Sequence, residues 1–344
     1  MKAPAFWDED NWRSRLVAPF AALYGAISQA RLRRPPAGAV DVPVICVGNF
    51  TLGGAGKTPT VLFLARHFRS LGERPFVLSR GYGGSLKGPL VVNPAHHHAG
   101  EVGDEPSLMA QEVPVVIGAD RLATARLAVA QGASLLLMDD GLQNPRLKRD
   151  CRLAIVDSVS GIGNARVFPA GPLRAPLGAQ FELCDGVLLI GEGPRGAAVA
   201  LTAAQHGKPV FRGRLVADDA ARRLAGLKVL AFCGIGRPEK FRASLSEAGV
   251  EIGGFVAFAD HHVLAKHEAD QLMRRAAAEG LALVTTPKDQ ARLLGDPYTR
   301  QALAGLVNVA GIDLVLDTPD EFIAWLGTSA TALKIPLSPS RRAP

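Results

Sequence analysis

Short apolar runs recur along the chain, separated by polar stretches that contain glycine, proline or aspartate. Many of these runs are rich in valine, isoleucine and leucine and have the length of a buried strand. Longer stretches with helical spacing of apolar residues lie between them. Such alternation is typical of an α/β protein with a mainly parallel sheet. We therefore predict strands at residues 42–47, 75–79, 134–138, 153–157, 186–190, 229–232, 281–285 and 314–316.

The alternation divides the chain into successive units. A first α/β unit, predicted over residues 35–220, is followed by a second and smaller one over residues 221–330, whose first helix ends near Ala248. Residues 331–344 are rich in serine, proline and arginine and are predicted to be disordered. Residues 1–34 precede the first unit and form a separate helical segment.

That first segment carries one apolar helical stripe. Its members follow one another at spacings of four, four, three and four residues: Trp12, Leu16, Phe20, Leu23 and Ile27. The uncharged run of residues 16–30 is too short to span a bilayer and contains Pro19. Arginines flank the stripe, which is typical of a helix lying in a bilayer interface. A helix packed on its own domain shows the same stripe, so both interpretations stay open.

The loop after the strand at 42–47 carries the most chemical information. A buried strand, a glycine-rich loop, Gly56-Lys57-Thr58 and an amphipathic helix together form the P-loop arrangement. Glycines let successive backbone N–H groups turn towards a phosphate, and the helix N-terminus adds its dipole. Lys57 is predicted to reach the β- and γ-phosphates, and the Thr58 hydroxyl to ligate Mg²⁺. The predicted nucleotide-binding residues are Thr51, Gly53, Gly54, Ala55, Gly56, Lys57 and Thr58; Thr51 stands where the usual motif has its first glycine.

Acidic residues follow another buried strand. The run of residues 134–138 ends in Asp139 and Asp140, which has the form of a Walker B element, whose carboxylate holds Mg²⁺ or its water shell. A second acidic pair, Asp104 and Glu105, lies in a loop before a helix. A further strand is predicted to run into Phe258 in the second unit, and His261 follows it beside Asp260. An imidazole next to a carboxylate suits proton transfer, although a structural histidine is the more common case.

Charge and cysteine content limit the classes of function. The 344-residue chain has a formal net charge of +7, but much of it lies in its first and last segments, which indicates a local basic surface instead of a nucleic-acid groove. Aromatic residues do not alternate with basic ones, which also argues against binding of single-stranded nucleic acid. The four cysteines lack metal-type spacing, and we predict buried free thiols.

Taken together, these motifs resemble the tetraacyldisaccharide 4′-kinases, the lipid A 4′-kinases of Gram-negative bacteria. The resemblance covers roughly residues 6–330, with Ala175 and Pro287 standing where the family commonly has acidic residues. The matching pieces are residues 48–59, 79–82, 103–106, 139–143, 171–174, 232–238, 258–261 and 286–289.

The resemblance implies a P-loop NTPase-like core, with the smaller domain contributing to a cleft that holds the active site. It implies transfer of the γ-phosphate of ATP, with Mg²⁺, to the 4′-hydroxyl of a tetraacylated glucosamine disaccharide 1-phosphate. It places the enzyme peripherally at the cytoplasmic face of the inner membrane, without an obligate protein partner. A lipid substrate would also give the amphipathic helix a purpose.

Roles for single residues follow from the same resemblance. Lys57 neutralises phosphate charge, Asp104 acts as the base for the 4′-hydroxyl, and His261 supports Asp104 from the other domain. Glu105 and Asp139 are candidate Mg²⁺ ligands or water holders beside Thr58. The remaining expected site residues are Asp140, Gln143 and Arg80 on the phosphate side, and Tyr82 and Arg174 in contact with the sugar or its 1-phosphate.

Two other functions compete with this interpretation. A GTPase usually reads guanine with an aspartate two residues after a lysine, whereas Lys288 and Asp289 are adjacent. A membrane-docking P-loop switch without an acceptor substrate would not require Asp104 and His261. Slow ATP hydrolysis that ignores a lipid disaccharide would favour the switch.

Overall fold

The computed structural model describes residues 4–303 and 305–329. Its strands are β1 (Val44–Asn49), β2 (Pro75–Ser79), β3 (Leu90–Val91), β4 (Val115–Ile117), β5 (Leu135–Asp139), β6 (Cys151–Asp157), β7 (Gly186–Ile190), β8 (Val210–Ala217), β9 (Lys228–Cys233), β10 (Glu251–Ala257), β11 (Ala282–Thr285), β12 (Val307–Val309) and β13 (Ile312–Leu316). After a 3₁₀ turn at Ala5–Trp7, its helices are α1 (Trp12–Leu16), α2 (Ala18–Leu32), α3 (Lys57–Ser70), α4 (Ala99–Val102), α5 (Asp104–Met109), α6 (Arg121–Ala130), α7 (Leu177–Leu183), α8 (Pro194–Gln205), α9 (Asp219–Arg222), α10 (Pro238–Glu247), α11 (Lys266–Glu279), α12 (Pro287–Leu293), α13 (Pro297–Leu303) and α14 (Pro319–Ser329).

The larger sheet has the order β13-β8-β7-β6-β1-β5-β2-β4-β3. All neighbouring strands run parallel except the two edge pairs, β3 with β4 and β13 with β8. Because helices cover both faces of the central strands, the sequences of those strands are continuously apolar. Helices α3 and α14 pack on one face through residues such as Phe68 and Phe322, and α6, α7 and α8 cover the other.

The smaller sheet contains four parallel strands in the order β10-β9-β11-β12. Helix α10 packs on one face through Phe241 and Leu245. Helix α11 covers the other face through Leu272 and Ala276, together with residues of α12 and α13. The two sheets have separate hydrophobic cores.

One predicted boundary is wrong. The strand expected at 314–316 does not belong to the smaller sheet, because β13 pairs antiparallel with β8 at the edge of the larger one. Helix α14 follows β13 and packs on the larger sheet, where its Phe322 and Leu326 are fully buried. The smaller domain therefore does not extend to residue 330. Residues 331–344, predicted to be disordered, lie outside the described residues.

The amino-terminal helices lie on the larger domain. Gly25 of α2 lies against Val167 and Pro176, and Leu32 packs on α7. The indole Nε1 of Trp7 donates to the Pro169 carbonyl at 2.9 Å. The predicted stripe faces the other way, because Trp12, Leu16, Phe20, Leu23 and Ile27 are each between 62% and 69% exposed. In the described part of the chain, no helix has the length and apolarity needed to cross a bilayer.

Candidate active site

The phosphate-binding loop joins β1 to α3 at the carboxyl edge of the larger sheet. Gly56 caps α3 with φ +94°, and Gly53 has φ +111°, backbone conformations that favour glycine. A Cβ atom on Gly53 or Gly54 would meet no neighbour within 4 Å, so this part of the loop faces open space. The loop and the first turn of α3 can therefore present backbone N–H groups to a phosphate.

Asn49 fixes both the loop and its lysine. This fully buried residue donates from Nδ2 to the Gly53 carbonyl at 3.0 Å, and its Oδ1 accepts from Lys57 Nζ at 3.2 Å. Sequence reasoning gave Asn49 no role, although it ends β1 inside the glycine-rich motif. A buried side-chain amide at the end of a core strand is the signal that could have identified it.

Asp139 ends β5, whose parallel pairing with β1 places it beside Val47. Burial raises the pKa of Asp139 to about 6, and the neighbouring Asp140 carboxylate adds to that rise. Asp140 has φ +50° and its Oδ1 lies 3.6 Å from Lys57 Nζ. A non-glycine residue in this conformation is strained, and such strain is concentrated at functional sites.

This pair fits a divalent cation. Oδ1 of Asp139 and Oδ1 of Asp140 are buried, and neither has a hydrogen-bond partner among the described residues. Mg²⁺ is usually held by one or two carboxylates together with phosphate oxygens and water. Thr58 lies in the first turn of α3 next to Lys57. In the described ranges, no group of three or more Asp, Glu, His or Cys side chains is arranged to hold a metal ion.

Arg174 lies on the phosphate side of the site. Its Nη2 donates to Asp140 Oδ2 at 3.1 Å and its Nε donates to the Thr51 carbonyl at 2.9 Å. The guanidinium therefore ties the phosphate-binding loop to the Walker B carboxylate. The expected contact of Arg174 with the sugar or its 1-phosphate stays a prediction.

The other expected residues are placed around the same edge. Gln143 donates to the Asn49 carbonyl at 2.8 Å and to Gln180 Oε1 at 2.9 Å, so it supports the end of β1. Arg80 is exposed directly after β2, and Tyr82 is 76% exposed. Both residues face solvent, where they are accessible to a substrate.

The structure joins Asp104 and His261 across the two domains. His261 Nδ1 lies 2.6 Å from Asp104 Oδ2, although the residues are 157 positions apart. An ionised carboxylate can only accept, so Nδ1 carries the proton of this hydrogen bond. His261 has φ +62°, and its amide donates to the Gly234 carbonyl at 3.0 Å. The pairing predicted from sequence is present in the structure.

Sequence reasoning missed two cations in this cluster. Arg292 donates from Nη2 to Asp104 Oδ2 at 2.6 Å, and Lys288 Nζ donates to Glu105 Oε1 at 2.6 Å. Burial opposes ionisation, yet Arg292 lowers the pKa of Asp104 and Lys288 lowers the pKa of Glu105, both below their ordinary values. Glu105, expected near Mg²⁺, is thus engaged by the smaller domain.

Comparison with known proteins identifies the family. A family model described as tetraacyldisaccharide-1-P 4′-kinase matches residues 13–331. This chain belongs to that family. Tetraacyldisaccharide 4′-kinases of Methylobacterium sp. (strain 4-46) and Rhodopseudomonas palustris (strain HaA2) are 54% and 52% identical to it. Each of those alignments covers 85% of this chain, and they cover 89% and 87% of the two relatives.

A solved member of the tetraacyldisaccharide 4′-kinase family has the same fold. The crystal structure of LpxK from Aquifex aeolicus, described as an "apo" form in complex with ATP, superposes with a TM-score of 0.73 at 27% identity. The match covers 92% of this chain and 99% of that one. The predicted family and the predicted P-loop NTPase-like α/β class are both confirmed.

Proposed function

We propose that this chain transfers the γ-phosphate of ATP to the 4′-hydroxyl of a tetraacylated glucosamine disaccharide 1-phosphate. The observation that carries the proposal is the Asp104–His261 pair at the same sheet edge as the phosphate-binding loop. Gly103 packs against the Tyr82 carbonyl in the loop after β2, which keeps Asp104 at that edge. A protein that only bound or hydrolysed nucleotide would not need this second, acceptor-side group.

On the phosphate side, the chain supplies positive charge and fixed geometry. Lys57 and the backbone amides of residues 53–56 would bind the β- and γ-phosphates, with Asn49 holding the lysine at 3.2 Å. Thr58 and Asp139, with Asp140 beside them, would hold Mg²⁺, which neutralises phosphate charge when it is bound. Phosphoryl transfer depends mainly on such positioning and charge neutralisation.

On the acceptor side, Asp104 would take the proton of the 4′-hydroxyl. The described residues direct their hydrogen bonds to Asp104 at Oδ2, namely from His261 and Arg292. Oδ1 is therefore the oxygen available to the acceptor. Because the pKa of Asp104 is lowered, mainly by Arg292 against the effect of burial, the carboxylate is ionised at neutral pH. An ionised carboxylate can accept a proton, and its fixed orientation supplies the geometry that a general base needs.

The amino-terminal face would attach the enzyme to the cytoplasmic face of the inner membrane. Trp12, Phe20 and Ile27 are 69%, 68% and 62% exposed on one side of α1 and α2. At the end of α2, Arg31 and Arg34 line a cavity of about 430 Å³ together with Arg146. An apolar face flanked by arginines suits the interface of an anionic bilayer, where a tetraacylated substrate is found.

The two residues considered for guanine binding, Lys288 and Asp289, make other contacts in the structure. Lys288 is paired with Glu105, and Asp289 Oδ1 accepts from the Gly234 amide at 3.0 Å and from Arg292 at 2.7 Å. The Thr286-Pro287-Lys288-Asp289 segment is thus occupied by contacts within and between the domains. These contacts favour the kinase over a GTPase.

A phosphate-transfer assay tests the proposal. Purified enzyme in detergent, Mg²⁺ and γ-³²P-labelled ATP should label a tetraacyldisaccharide 1-phosphate at its 4′ position. Lys57→Ala should lower the rate by about 10²–10³-fold, as expected for a preorganised charge contact. Lys228→Ala, which removes a surface lysine paired with Glu251, serves as the matched control. Slow ATP hydrolysis that is unaffected by the disaccharide would instead favour the P-loop switch.

A further inference from the structure

Arg292 is a nearly buried cation of the cleft. Its side chain is only 5% exposed, and it lies in α12 of the smaller domain. Nε and Nη2 both donate to Asp104 Oδ2, at 3.1 and 2.6 Å. Nη1 donates to Asp289 Oδ1 and to the Gly234 carbonyl, each at 2.7 Å. One guanidinium therefore joins the proposed base to two fixed points of the other domain.

Asp289 and Gly234, the two partners of Nη1, are themselves held in place by hydrogen bonds. Asp289 Oδ1 also accepts from the Gly234 amide at 3.0 Å, and Thr286 Oγ1 donates to Asp289 Oδ2 at 2.6 Å. Thr286 caps α12 by accepting from the Asp289 amide. Each partner is thus fixed by backbone contacts, so the position of the guanidinium is set by the fold of the smaller domain. A planar, rigid guanidinium fixes the orientation of its carboxylate partner in addition to supplying positive charge.

We infer that Arg292 positions Asp104 for proton acceptance by holding Oδ2 and leaving Oδ1 for the acceptor hydroxyl. The inference rests on the proposed function, since it requires Asp104 to be the base. Arg292 itself touches no reacting atom in this arrangement and acts only through Asp104. His261, which is 53% exposed, shares the same oxygen but leaves the orientation less constrained than the buried guanidinium.

A purely structural role for Arg292 makes a different prediction. The hydrogen bonds that join Arg292 to the larger domain both go to Asp104 Oδ2, so either role makes the loss depend on that carboxylate. If the residue only tied the domains together, its loss would loosen the cleft and raise both KM values. If it positions Asp104 for proton acceptance, its loss should lower kcat with little change in the KM values, and only while the carboxylate is there.

The test measures kcat and both KM values for four enzymes: wild type, Arg292→Gln, Asp104→Ala and the double variant. Misplacing a catalytic group typically costs about 10²-fold, so Arg292→Gln should lower kcat by roughly that factor with KM values within about threefold. In the Asp104→Ala background, the same Arg292→Gln change should lower kcat by less than about threefold. Arg292→Lys should recover part of kcat, because lysine keeps the positive charge but lacks the planar group that donates from two nitrogens to Asp104. Arg275→Gln, which breaks a surface pair with Glu279, is the control.

Equal losses in both backgrounds, a loss that comes mainly from raised KM values, or full activity of folded Arg292→Gln would overturn the inference. If Arg292→Gln does not fold, Arg292→Lys in the two backgrounds provides the same comparison. Near-normal activity of Asp104→Ala alone would show that Asp104 is not the base. That outcome would remove the premise of the inference and is distinguishable from a failure confined to Arg292, whereas absence of phosphate transfer by the wild-type enzyme would contradict the proposed function itself.

Discussion

Arg237 Nη1 lies 2.9 Å from Asp157 Oδ2 and joins the smaller domain to the end of β6. Lys240 Nζ reaches the same oxygen at 2.5 Å, while the Asp157 side chain is only 6% exposed. Since β6 lies next to β1, this contact is close to the start of the phosphate-binding loop. Carboxylates of the larger domain thus accept from cations of the smaller one at three places along the cleft: Asp104, Glu105 and Asp157.

The Asp157 contact makes stability depend on pH. Burial opposes ionisation, but the hydrogen bond from Lys240 lowers the pKa of Asp157 below its ordinary value. The contribution to stability is therefore complete above the unfolded-state pKa of about 3.8 and disappears as pH falls through the lower folded-state value. Asp157→Asn should cost about 1–2 kcal/mol at neutral pH, and this difference from the wild type should shrink below about pH 4.

Thermal or denaturant unfolding between pH 7 and pH 3 measures this effect. Asp219→Asn is the matched control, because Asp219 pairs with Arg222 on the surface with an 80% exposed side chain. The control should behave as the wild type at every pH. A constant difference between Asp157→Asn and the wild type across the whole range would contradict the ion-pair interpretation.

Arg174 should act on nucleotide binding. Because its guanidinium holds both Asp140 and the Thr51 carbonyl, Arg174→Ala should loosen the phosphate-binding loop. Loss of a hydrogen bond to a charged group typically costs about 1.5–3 kcal/mol, so we expect the KM for ATP to rise by about tenfold or more. The KM for the disaccharide should change much less. A rise confined to the KM for the disaccharide would instead support the contact of Arg174 with the sugar or its 1-phosphate that was predicted from the sequence.

The exposed stripe should control vesicle binding without affecting the fold. Phe20→Ser combined with Leu23→Ser removes two apolar side chains that are 68% and 64% exposed. Association with anionic vesicles should fall by on the order of tenfold, because apolar area inserted into the interface drives binding. Leu201→Ser, at a 69% exposed leucine of α8, is the matched control and should bind vesicles as the wild type does. Unchanged sedimentation of the double variant would show that α1 and α2 do not attach the enzyme to membranes.

Local patterns predicted most of the central fold and the nucleotide-binding half of the site. Strand, glycine-rich loop and helix are contiguous in sequence, so Lys57 and Thr58 could be assigned without tertiary information. Strand β8 was missed because Arg212 and Arg214 interrupt its apolar pattern. Strand β13 was recognised but assigned to the wrong domain, because pairing with β8 is set by tertiary contacts that its own sequence does not encode.

The acceptor half of the site depends on long-range contacts. Arg292 and Lys288 lie 188 and 183 positions from their carboxylate partners, and nothing in the local pattern of α12 indicates these partners. The expected contact of Arg174 with the sugar or its 1-phosphate stays a prediction, because an isolated arginine in a sequence does not show which way it turns. Only the fold shows that it turns towards Asp140.

We propose that the acceptor base is assembled from both domains, with Asp104 and His261 acting as one unit. The most direct measurement compares kcat for Asp104→Ala, His261→Ala and the double variant in the phosphate-transfer assay. Each single change should lower kcat by on the order of 10²–10⁴-fold, and the double variant should be little worse than the poorer single one. The KM for ATP should change little in all three. Losses that multiply in the double variant would show that the two residues work independently and would contradict the account.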